Sequence, residues 1–229
     1  MNIAIIPARG GSKRIPKKNI KPFCGKPIIA WSIIAAINSR IFDKIIVSTD
    51  SPEIADIAVK YGAEVPFIRP AEFSDDYTGT NEVVKHAIHS LIDLGHNNIE
   101  YVCCIYATAP FLKAKYLKIG LEAIKKESVN FAFSVSTFDF PPQRALILKD
   151  EVVSTKWKNF IYQRSQDLEE LYHDAGQFYW GHKNSFLDEV DMFDSNSSAV
   201  IIPRRLTQDI DTFEDWELAE SMFNAIRNK

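Results

Sequence analysis

The sequence predicts an α/β fold in which a doubly wound, mostly parallel sheet is covered by helices on both faces. Apolar runs of strand length alternate along the chain with segments of helical periodicity, which is the order of βαβ units. The runs are apolar at nearly every position instead of alternating with polar residues, as strands buried on both faces are. A single domain covering residues 1–229 accommodates all of them.

Five apolar runs rich in β-branched or aromatic residues are predicted as the first strands: 2–6, 44–48, 64–68, 99–105 and 130–136. Four helices are predicted between them: 27–38, 52–60, 81–94 and 114–127. Proline occupies a first-turn position in the first two helices. Ser51 and Thr80 are the predicted N-caps of the second and third.

The alternation of strands and helices stops after residue 137. Two short strands, 176–181 and 198–202, and a last helix, 212–228, are predicted beyond it, and Thr212 with Asp215 forms a loose capping box for that helix. A small lobe is predicted at about 138–190. Its many aromatic residues favour a substrate wall or a subunit interface, and a plain surface excursion is the alternative.

Composition restricts the class of protein. The 27 Lys and Arg are outnumbered by 30 Asp and Glu, giving a net charge of -3, so a protein that wraps nucleic acid is disfavoured. Three cysteines, two of them adjacent, fit neither a disulfide framework nor a zinc site and are predicted as buried reduced thiols. No apolar run approaches membrane-spanning length and no signal peptide is visible, so we expect a cytoplasmic protein with no membrane partner.

The stretch Ala8–Arg14, "ARGGSKR", follows the first strand directly. Gly10 and Gly11 let the backbone curl so that successive N–H groups face one anion, and Arg9, Lys13 and Lys18 add positive charge. Neither the dinucleotide fingerprint G-x-G-x-x-G nor the P-loop pattern is present, which disfavours a dinucleotide oxidoreductase and a P-loop ATPase. Taken alone, the stretch also suits a solvated turn.

Other strand ends carry polar or small residues at the edge of the sheet where ligands bind in this fold class. Ser48-Thr49-Asp50 follows the second strand, Arg69 and the loop "SDDYTGT" follow the third run, and Tyr106–Pro110 follows the fourth. Small residues there leave room for a flat ring, although they also pack well in a core.

The late segment "TQDIDTFED" contains Asp209 and Asp211. In an extended segment their side chains point the same way, and two adjacent carboxylates favour a cation such as Mg²⁺, which completes its shell with water and phosphate oxygens. The alternative is that one aspartate pairs with Arg204 or Arg205 and the other caps the last helix.

Three stretches together closely resemble the cytidylyltransferases that activate nine-carbon α-keto acid sugars, the CMP-sialic acid synthetase family: "IIPARGGSKRIPKKNIKPFCGKPIIAWSI", "DKIIVSTDSPEIADIAVKYGAEVPFIRPAE" and "DIDTFEDWELAE". The stretch "RSQDLEELYHDAGQFYWG" is most similar to the pseudaminic acid branch. The resemblance implies a Rossmann-like nucleotidyltransferase fold, a dimerising lobe and a homodimer.

The resemblance also implies roles for single residues. The CTP phosphates are expected at the glycine loop, the ribose and cytosine at later strand ends, Mg²⁺ at the aspartate pair, and the sugar at the lobe and late segment. The corresponding residues are Arg9, Ser12, Lys13, Lys18 and Asn19 for phosphate, Arg69, Thr80, Tyr106, Ala107 and Thr108 for ribose and base, Asp209 and Asp211 for metal, and Arg144 and Arg164 for the carboxylate of the sugar. Gly10, Gly11, His173 and Gln177 are further candidates for contact with the substrates.

Two departures from the family pattern concern the substrates. Tyr106 stands where family members often have a Gln that contacts the base, and residues 173–177 lack the common Asn-Gly. Phe178, Tyr179 and Trp180 are predicted to suit a sugar that ends in a methyl group.

The implied reaction is attack of the sugar's anomeric hydroxyl on the α-phosphorus of CTP with loss of pyrophosphate. Arg9, Lys13, Lys18, Asp209 and Asp211 are the expected catalytic set, and either His173 or a hydroxide held by the metal is the expected proton acceptor. Sialic acid, legionaminic acid or an eight-carbon keto acid are alternative acceptors. A nucleotide-binding protein without activity is the alternative of another class, which would not need to retain Lys13 together with both aspartates.

Overall fold

A computed structural model describes residues 1–193 and 196–227, in which strands and helices alternate as predicted. The strands are β1 (Asn2–Pro7), β2 (Pro22–Phe23), β3 (Lys26–Pro27), β4 (Lys44–Ser48), β5 (Tyr101–Ile105), β6 (Phe131–Thr137), β7 (Leu146–Lys149), β8 (Val152–Thr155), β9 (Tyr172–His182) and β10 (Ser197–Ile201). The helices are α1 (Ile28–Ser39), α2 (Pro52–Lys60), α3 (Thr80–Asp93), α4 (Ala114–Ile124), α5 (Lys183–Leu187) and α6 (Phe213–Arg227). None of these helices has the length and apolar character needed to span a bilayer.

The central sheet has six strands in the order β10-β6-β9-β5-β1-β4. Strand β1 runs parallel to β4 and β5, and β10 runs parallel to β6, which confirms the mostly parallel sheet. Strand β9 alone is antiparallel to its neighbours β5 and β6. Its first residues therefore lie at the edge where the other strands end, and His173 pairs with Ser136.

Two apolar cores cover the two faces of the sheet. Strand β1 contributes to both, because Ala4 and Ile6 pack under the helices α1, α2, α4 and α6, whereas Ile3 and Ile5 pack under α3 and α5. Since successive side chains of a strand point to opposite faces, a strand covered on both sides must be apolar throughout. The continuous apolar runs of the sequence have this cause.

Three helix N-caps were predicted from the sequence, and those of α2 and α6 are confirmed, whereas that of α3 is not. The hydroxyl of Ser51 accepts the Ile54 N–H at 3.4 Å, and Thr212 and Asp215 exchange hydrogen bonds at the start of α6, with N···O distances of 3.2 and 2.8 Å. The Thr80 cap is wrong by one residue, because Gly79 occupies the N-cap position and donates its N–H to Glu82 at 2.9 Å. The Thr80 hydroxyl is thereby left to face a neighbouring strand end.

The strand predicted at 64–68 is wrong. Only Glu64 forms a bridge, to Ile46, through backbone hydrogen bonds of 2.8 and 2.9 Å to Ile45 and Val47. Pro66 lacks an N–H and cannot continue such a ladder. The chain beyond it runs as a loop to a single 3₁₀ turn at Ala71–Phe73.

The lobe ends earlier than predicted, at about residue 171, because β9 and α5 belong to the main body. The lobe proper contains the exposed β7–β8 hairpin. Phe178 and Trp180 are completely buried in the core under α4. They cannot form a wall for a sugar, so that part of the specificity prediction is wrong, and only Tyr179 lies on the other face.

The cysteines are all free. Cys103 and Cys104 are buried on β5, as predicted, whereas Cys24 is only half-buried. Burial raises the pKa of both strand thiols and keeps them protonated. These two thiols therefore act as small core residues.

Gly181 allows two phenylalanine rings to pack against the backbone of β9. A Cβ atom at this position would lie 2.7 Å from ring carbons of Phe131 and Phe186. We expect Gly181→Ala to lower the free energy of unfolding by about 1–3 kcal/mol, the usual cost of overpacking a core. Urea denaturation measures this, with Gly11→Ala as the matched control because a Cβ atom there would have no neighbour within 4 Å. Equal stability of the two variants would contradict the packing argument.

Candidate active site

A cleft of about 380 Å³ lies at the edge of the sheet where β1 and β5 end. We call it the central cleft. Basic side chains from separate segments converge on it: Arg9, Lys13, Arg14, Lys18 and Arg69. Its lining also includes the predicted residues Ser12, Asn19, Thr80, Tyr106, Ala107 and Thr108. In a chain of net charge -3, this convergence concentrates positive charge locally.

The glycine loop is built differently from the prediction. The N–H of Gly10 donates to the carboxylate of Asp50 at 2.8 Å, and neither Gly10 nor Gly11 lines the central cleft. A side chain on Gly10 would place its Cβ 3.2 Å from that of Ser51. Gly10 is therefore required for close approach to the start of α2, and the charge facing the cleft comes from side chains.

Two of the cations share one carboxylate. Asp76 accepts from Arg9 at 2.7 Å and also contacts the ammonium of Lys13, while Arg9 donates to the carbonyl of Asp75. The hydrogen bond from Lys13, with Arg9 next, lowers the pKa of Asp76 below its ordinary value. Sequence reasoning missed Asp76, although it lies in the polar loop singled out after the third apolar run.

Asp211 of the predicted aspartate pair contacts two further cations of the cleft. Asp211 accepts from Arg14 at 2.7 Å and from Lys18 at 3.3 Å. Burial, followed by the negative charge of Asp211, raises the pKa of Asp209. The alternative pairing does not occur among the described residues, since neither Arg204 nor Arg205 forms an ion pair with Asp209 or Asp211, and Arg204 contacts Asp139 at 3.2 Å instead.

The aspartate pair fits a divalent cation held jointly with a substrate. Within residues 1–193 and 196–227, no three His, Cys, Asp or Glu side chains converge as a closed metal cluster. Mg²⁺ needs only one or two carboxylates when phosphate oxygens and water complete its shell. Burial, and then the negative charge of Asp211, raise the pKa of Asp209, and a bound cation would offset both effects.

Arg69 is a buried cation at the back of the cleft, only 3% exposed. Its Nε donates to the Ser74 hydroxyl at 3.1 Å, and burial lowers its pKa while Asp50 opposes that shift. His86 lies close to it between Phe67 and Phe73, and burial, then the charge of Arg69, lowers the pKa of His86. His86 was not predicted, and nothing in its sequence context indicates this position.

Two further cavities adjoin the central cleft. The late-strand cavity, about 260 Å³, is lined by the first half of β9 and the segment 207–209, and it contains His173, Gln177 and Asp209. The aromatic cavity, about 560 Å³, lies between β9, α5 and the start of α3. Tyr106 lines both cavities as well as the cleft.

The structure does not bring Arg144 or Arg164 to these cavities. Both lie in the lobe, where Arg144 contacts Ser165 and the Gln163 carbonyl and Arg164 pairs with Asp167 at 2.7 Å. Neither lines the central cleft, the late-strand cavity or the aromatic cavity. Their predicted contact with a sugar carboxylate is therefore not made within this chain as it stands.

Comparison with known proteins gives a consistent result. Residues 3–225 match the family model described as cytidylyltransferase. The chain is 46% identical to a pseudaminic acid cytidylyltransferase of Campylobacter jejuni, over 97% of this chain and 96% of that protein. It is 31% identical to a CMP-N,N'-diacetyllegionaminic acid synthase of Legionella pneumophila, over 96% and 95% of the two chains.

A solved structure shares the fold. The CMP:2-keto-3-deoxy-manno-octonic acid synthetase complexed with CTP superposes with a TM-score of 0.72, covering 98% of each chain at 14% identity. At that identity the likeness concerns the arrangement of the chain. It agrees with the doubly wound sheet described above.

Because Asp76 pairs with Arg9 and Lys13, we expect it to compete with a polyphosphate for these two cations. We expect Asp76→Asn to strengthen the binding of inorganic tripolyphosphate severalfold at low salt, because Arg9 and Lys13 lose their internal partner. The gain should shrink as ionic strength rises. Isothermal titration calorimetry measures both effects, with Asp56→Asn on the exposed side of α2 as a control for charge alone. Unchanged or weaker binding by Asp76→Asn would refute the competition.

Proposed function

The chain belongs to the cytidylyltransferase family, and from this premise we propose that it transfers CMP from CTP to the anomeric hydroxyl of a nine-carbon α-keto acid sugar, releasing pyrophosphate. Pseudaminic acid is the proposed acceptor. Its support is the 46% identity to a pseudaminic acid cytidylyltransferase, compared with 31% to the legionaminic acid enzyme.

The observation that carries the proposal is the clustering of five cations in one cleft at the carboxyl edge of the sheet. A triphosphate carries several negative charges, and a cleft of this charge is suited to neutralise them. Tyr106, Ala107 and Thr108 at the end of β5 supply a small, partly apolar surface for a base or ribose. The late-strand cavity beside it has room for a second reactant.

In the proposed reaction, the anomeric oxygen of the sugar forms a bond to the α-phosphorus as the bond to the pyrophosphate oxygen breaks. Negative charge then accumulates on the leaving phosphates, where Arg9 and Lys13 stabilise it, and Lys18 is placed to act on the same phosphates. Catalysis of this kind depends on positioning and preorganised charge. His173, which lines the late-strand cavity, is the candidate in this chain to accept the hydroxyl proton.

Asp209 and Asp211 are the residues proposed to hold Mg²⁺. When bound, the cation would neutralise phosphate charge beside the leaving group. The contribution of the chain is to present both carboxylates next to Lys18, whose ammonium contacts Asp211 and the Ile210 carbonyl at 3.3 and 2.7 Å.

Lys13→Ala tests the cationic cleft. We expect turnover to fall by about 10²–10³-fold, as for the loss of one donor that stabilises transition-state charge. Continuous detection of pyrophosphate measures it with CTP and the sugar. Lys17→Ala is the matched control, because Lys17 pairs with Glu53 at 2.7 Å and does not line the cleft. A folded Lys13→Ala enzyme with the control's activity would exclude the cleft from catalysis.

Asp211→Asn tests the metal site. We expect activity to be lost at low Mg²⁺ and partly restored by excess Mg²⁺, because one carboxylate of the pair remains. The measurement is a magnesium titration of pyrophosphate release, with Glu214→Gln in the exposed first turn of α6 as the control. Full activity of the wild-type enzyme in EDTA would refute the metal proposal.

The lobe at residues 138–171 is proposed as the interface of a homodimer. One face of the β7–β8 hairpin carries Leu146, Leu148 and Val153, of which Leu148 is 71% and Val153 is 60% exposed. Exposed apolar side chains side by side on a hairpin favour burial against a second copy. A partner's lobe is also the simplest source of the two arginines that do not reach the cleft of their own chain.

Leu148→Asp combined with Val153→Asp should convert the dimer to a monomer, because these residues pair across the hairpin on the face that also carries Leu146. Light scattering coupled to size-exclusion chromatography measures the mass. Lys149→Asp is the control: it introduces an aspartate on the opposite face of the hairpin and should leave the dimer intact. A monomeric wild-type protein, or a dimer that survives the double substitution, would contradict the interface.

The cytoplasm is the proposed compartment. Cys24, Cys103 and Cys104 are all free, which suits a reducing environment.

A further inference from the structure

The three adjoining cavities differ in charge. The central cleft contains five basic side chains, whereas the described residues lining the late-strand cavity and the aromatic cavity include no Lys or Arg. Instead, Asp174 lines both side cavities, joined by Asp209 in the first and by Glu189 and Asp191 in the second. Glu189 pairs with Lys85 at 2.6 Å and Asp209 is a proposed metal ligand, so Asp174 and Asp191 are the carboxylates that would repel an anionic group of the substrate.

Buried acceptors in the late-strand cavity indicate what it takes up. Gln177 is 3% exposed and its Nε2–H donates to the Leu206 carbonyl, but its Oε1 has no hydrogen-bond partner among the residues that the structure describes. The hydroxyl of Thr207, on the same cavity, also has none. Buried polar atoms are normally satisfied, so these two atoms point to a ligand or water that supplies O–H or N–H donors.

Two hydrogen bonds orient the carboxylate of Asp174, an exposed residue at the junction of the two side cavities. The Tyr179 hydroxyl donates to its Oδ2 at 2.5 Å, and the Gly176 N–H donates to its Oδ1 at 2.9 Å. Gly176 has φ +60°, a left-handed conformation that glycine adopts without strain. A carboxylate has about four acceptor positions, so both oxygens retain capacity for further donors.

The side chains of Tyr179 and Tyr106 form a continuous surface from Asp174 to the central cleft. Tyr179 is 4% exposed and packs against Tyr106 with ring centroids 5.3 Å apart, and the Tyr106 hydroxyl lies 3.4 Å from that of Thr80. Phe186, Met192 and Phe193 add apolar surface to the aromatic cavity. The combination of an apolar wall and a fixed acceptor matches an acylamino group, which presents an N–H donor next to a methyl group.

We propose that Asp174 is a specificity-determining residue that accepts a hydrogen bond from an acylamino N–H of the sugar, with Tyr179 as the positioning residue that holds its carboxylate. The inference rests on the proposed function and adds the recognition of the acceptor to it. Asp174 selects uncharged, donor-bearing substituents and excludes anionic ones from the side cavities. The anionic end of the sugar is thereby directed to the cationic cleft.

The test uses steady-state kinetics of pyrophosphate release with two sugars, pseudaminic acid with two acylamino groups and sialic acid with one. For Asp174→Ala we expect the KM for pseudaminic acid to rise about 10–100-fold, the loss typical of a hydrogen bond to a charged group, while the KM for CTP changes less than about twofold. The preference for pseudaminic acid over sialic acid, taken as the ratio of kcat/KM values, should fall by a similar factor.

Two further variants separate recognition from structure. Asp174→Asn retains an acceptor and should give an intermediate rise in the KM for the sugar. Tyr179→Phe leaves the carboxylate in place but loosens it, and should raise the KM for the sugar severalfold with kcat nearly unchanged. Asp188→Asn, at the opposite edge of the sheet, is the control for loss of one negative charge. Thermal unfolding of each variant reports whether it folds.

The results distinguish failure of this inference from failure of the proposed function. If wild-type enzyme releases pyrophosphate but the folded Asp174 variants keep its sugar KM and sugar preference, the role of Asp174 is refuted and the reaction stands. A rise in the KM for CTP equal to that for the sugar would also refute it, since that result indicates a general structural role. If wild-type enzyme turns over none of the sugars with CTP, the proposed function itself fails.

Discussion

The reversed direction of β9 is the constraint on which the site depends. Because β9 is antiparallel between β5 and β6, its first residues lie at the edge where its neighbours end. In a parallel arrangement His173, Asp174 and Gln177 would lie at the opposite edge, away from the basic residues that follow β1. The same reversal places the lobe, because the chain leaves β6 and returns to β9 at one edge. The central cleft, the two side cavities and the lobe therefore lie at the same end of the molecule because of the direction in which β9 runs.

Charge compensation is the second organising interaction at that edge. Cations gathered in one cleft repel one another, and the chain provides carboxylates from distant segments to offset this. Asp76 bridges Arg9 and Lys13 from the loop before α3, whereas Asp211 bridges Arg14 and Lys18 from the segment before α6. Both carboxylates contact a cation through each of their oxygens, but Asp211 also lies close enough to Asp209 for its negative charge to raise the pKa of that carboxyl. Only the second can therefore form a paired-carboxylate site, while the first can be displaced by an anion without leaving a metal site incomplete.

Patterns with a direct physical cause could be predicted from the sequence. Continuous apolar runs predicted β1, β4, β5 and β6, and the Thr212–Asp215 box predicted the start of α6, because burial on both faces and unpaired helix N–H groups act on neighbouring residues. Features that depend on contacts between residues far apart in the sequence could not be predicted. The pairing of Asp76 with the glycine loop, the role of Gly10 against Ser51 and the burial of Phe178 and Trp180 become visible only when separate segments meet. The aromatic residues at 178–180 show the difficulty, since alternate positions of one strand face a core and a cavity.

The distribution of charge also explains how two anionic reactants could meet in one site. In the proposed reaction both CTP and the keto acid sugar carry negative charge, so neutralisation alone would attract either one to every basic side chain. Asp174 and Asp191 remove this equivalence, because carboxylates that hold no metal favour neutral hydrogen-bond donors and disfavour phosphate or carboxylate groups in the side cavities. A sugar whose substituents occupy those cavities presents its carboxylate and the adjacent anomeric hydroxyl to the central cleft. Orientation of the nucleophile toward the α-phosphorus then follows from the separation between a basic cleft and acidic cavities, with Tyr106 lining all three.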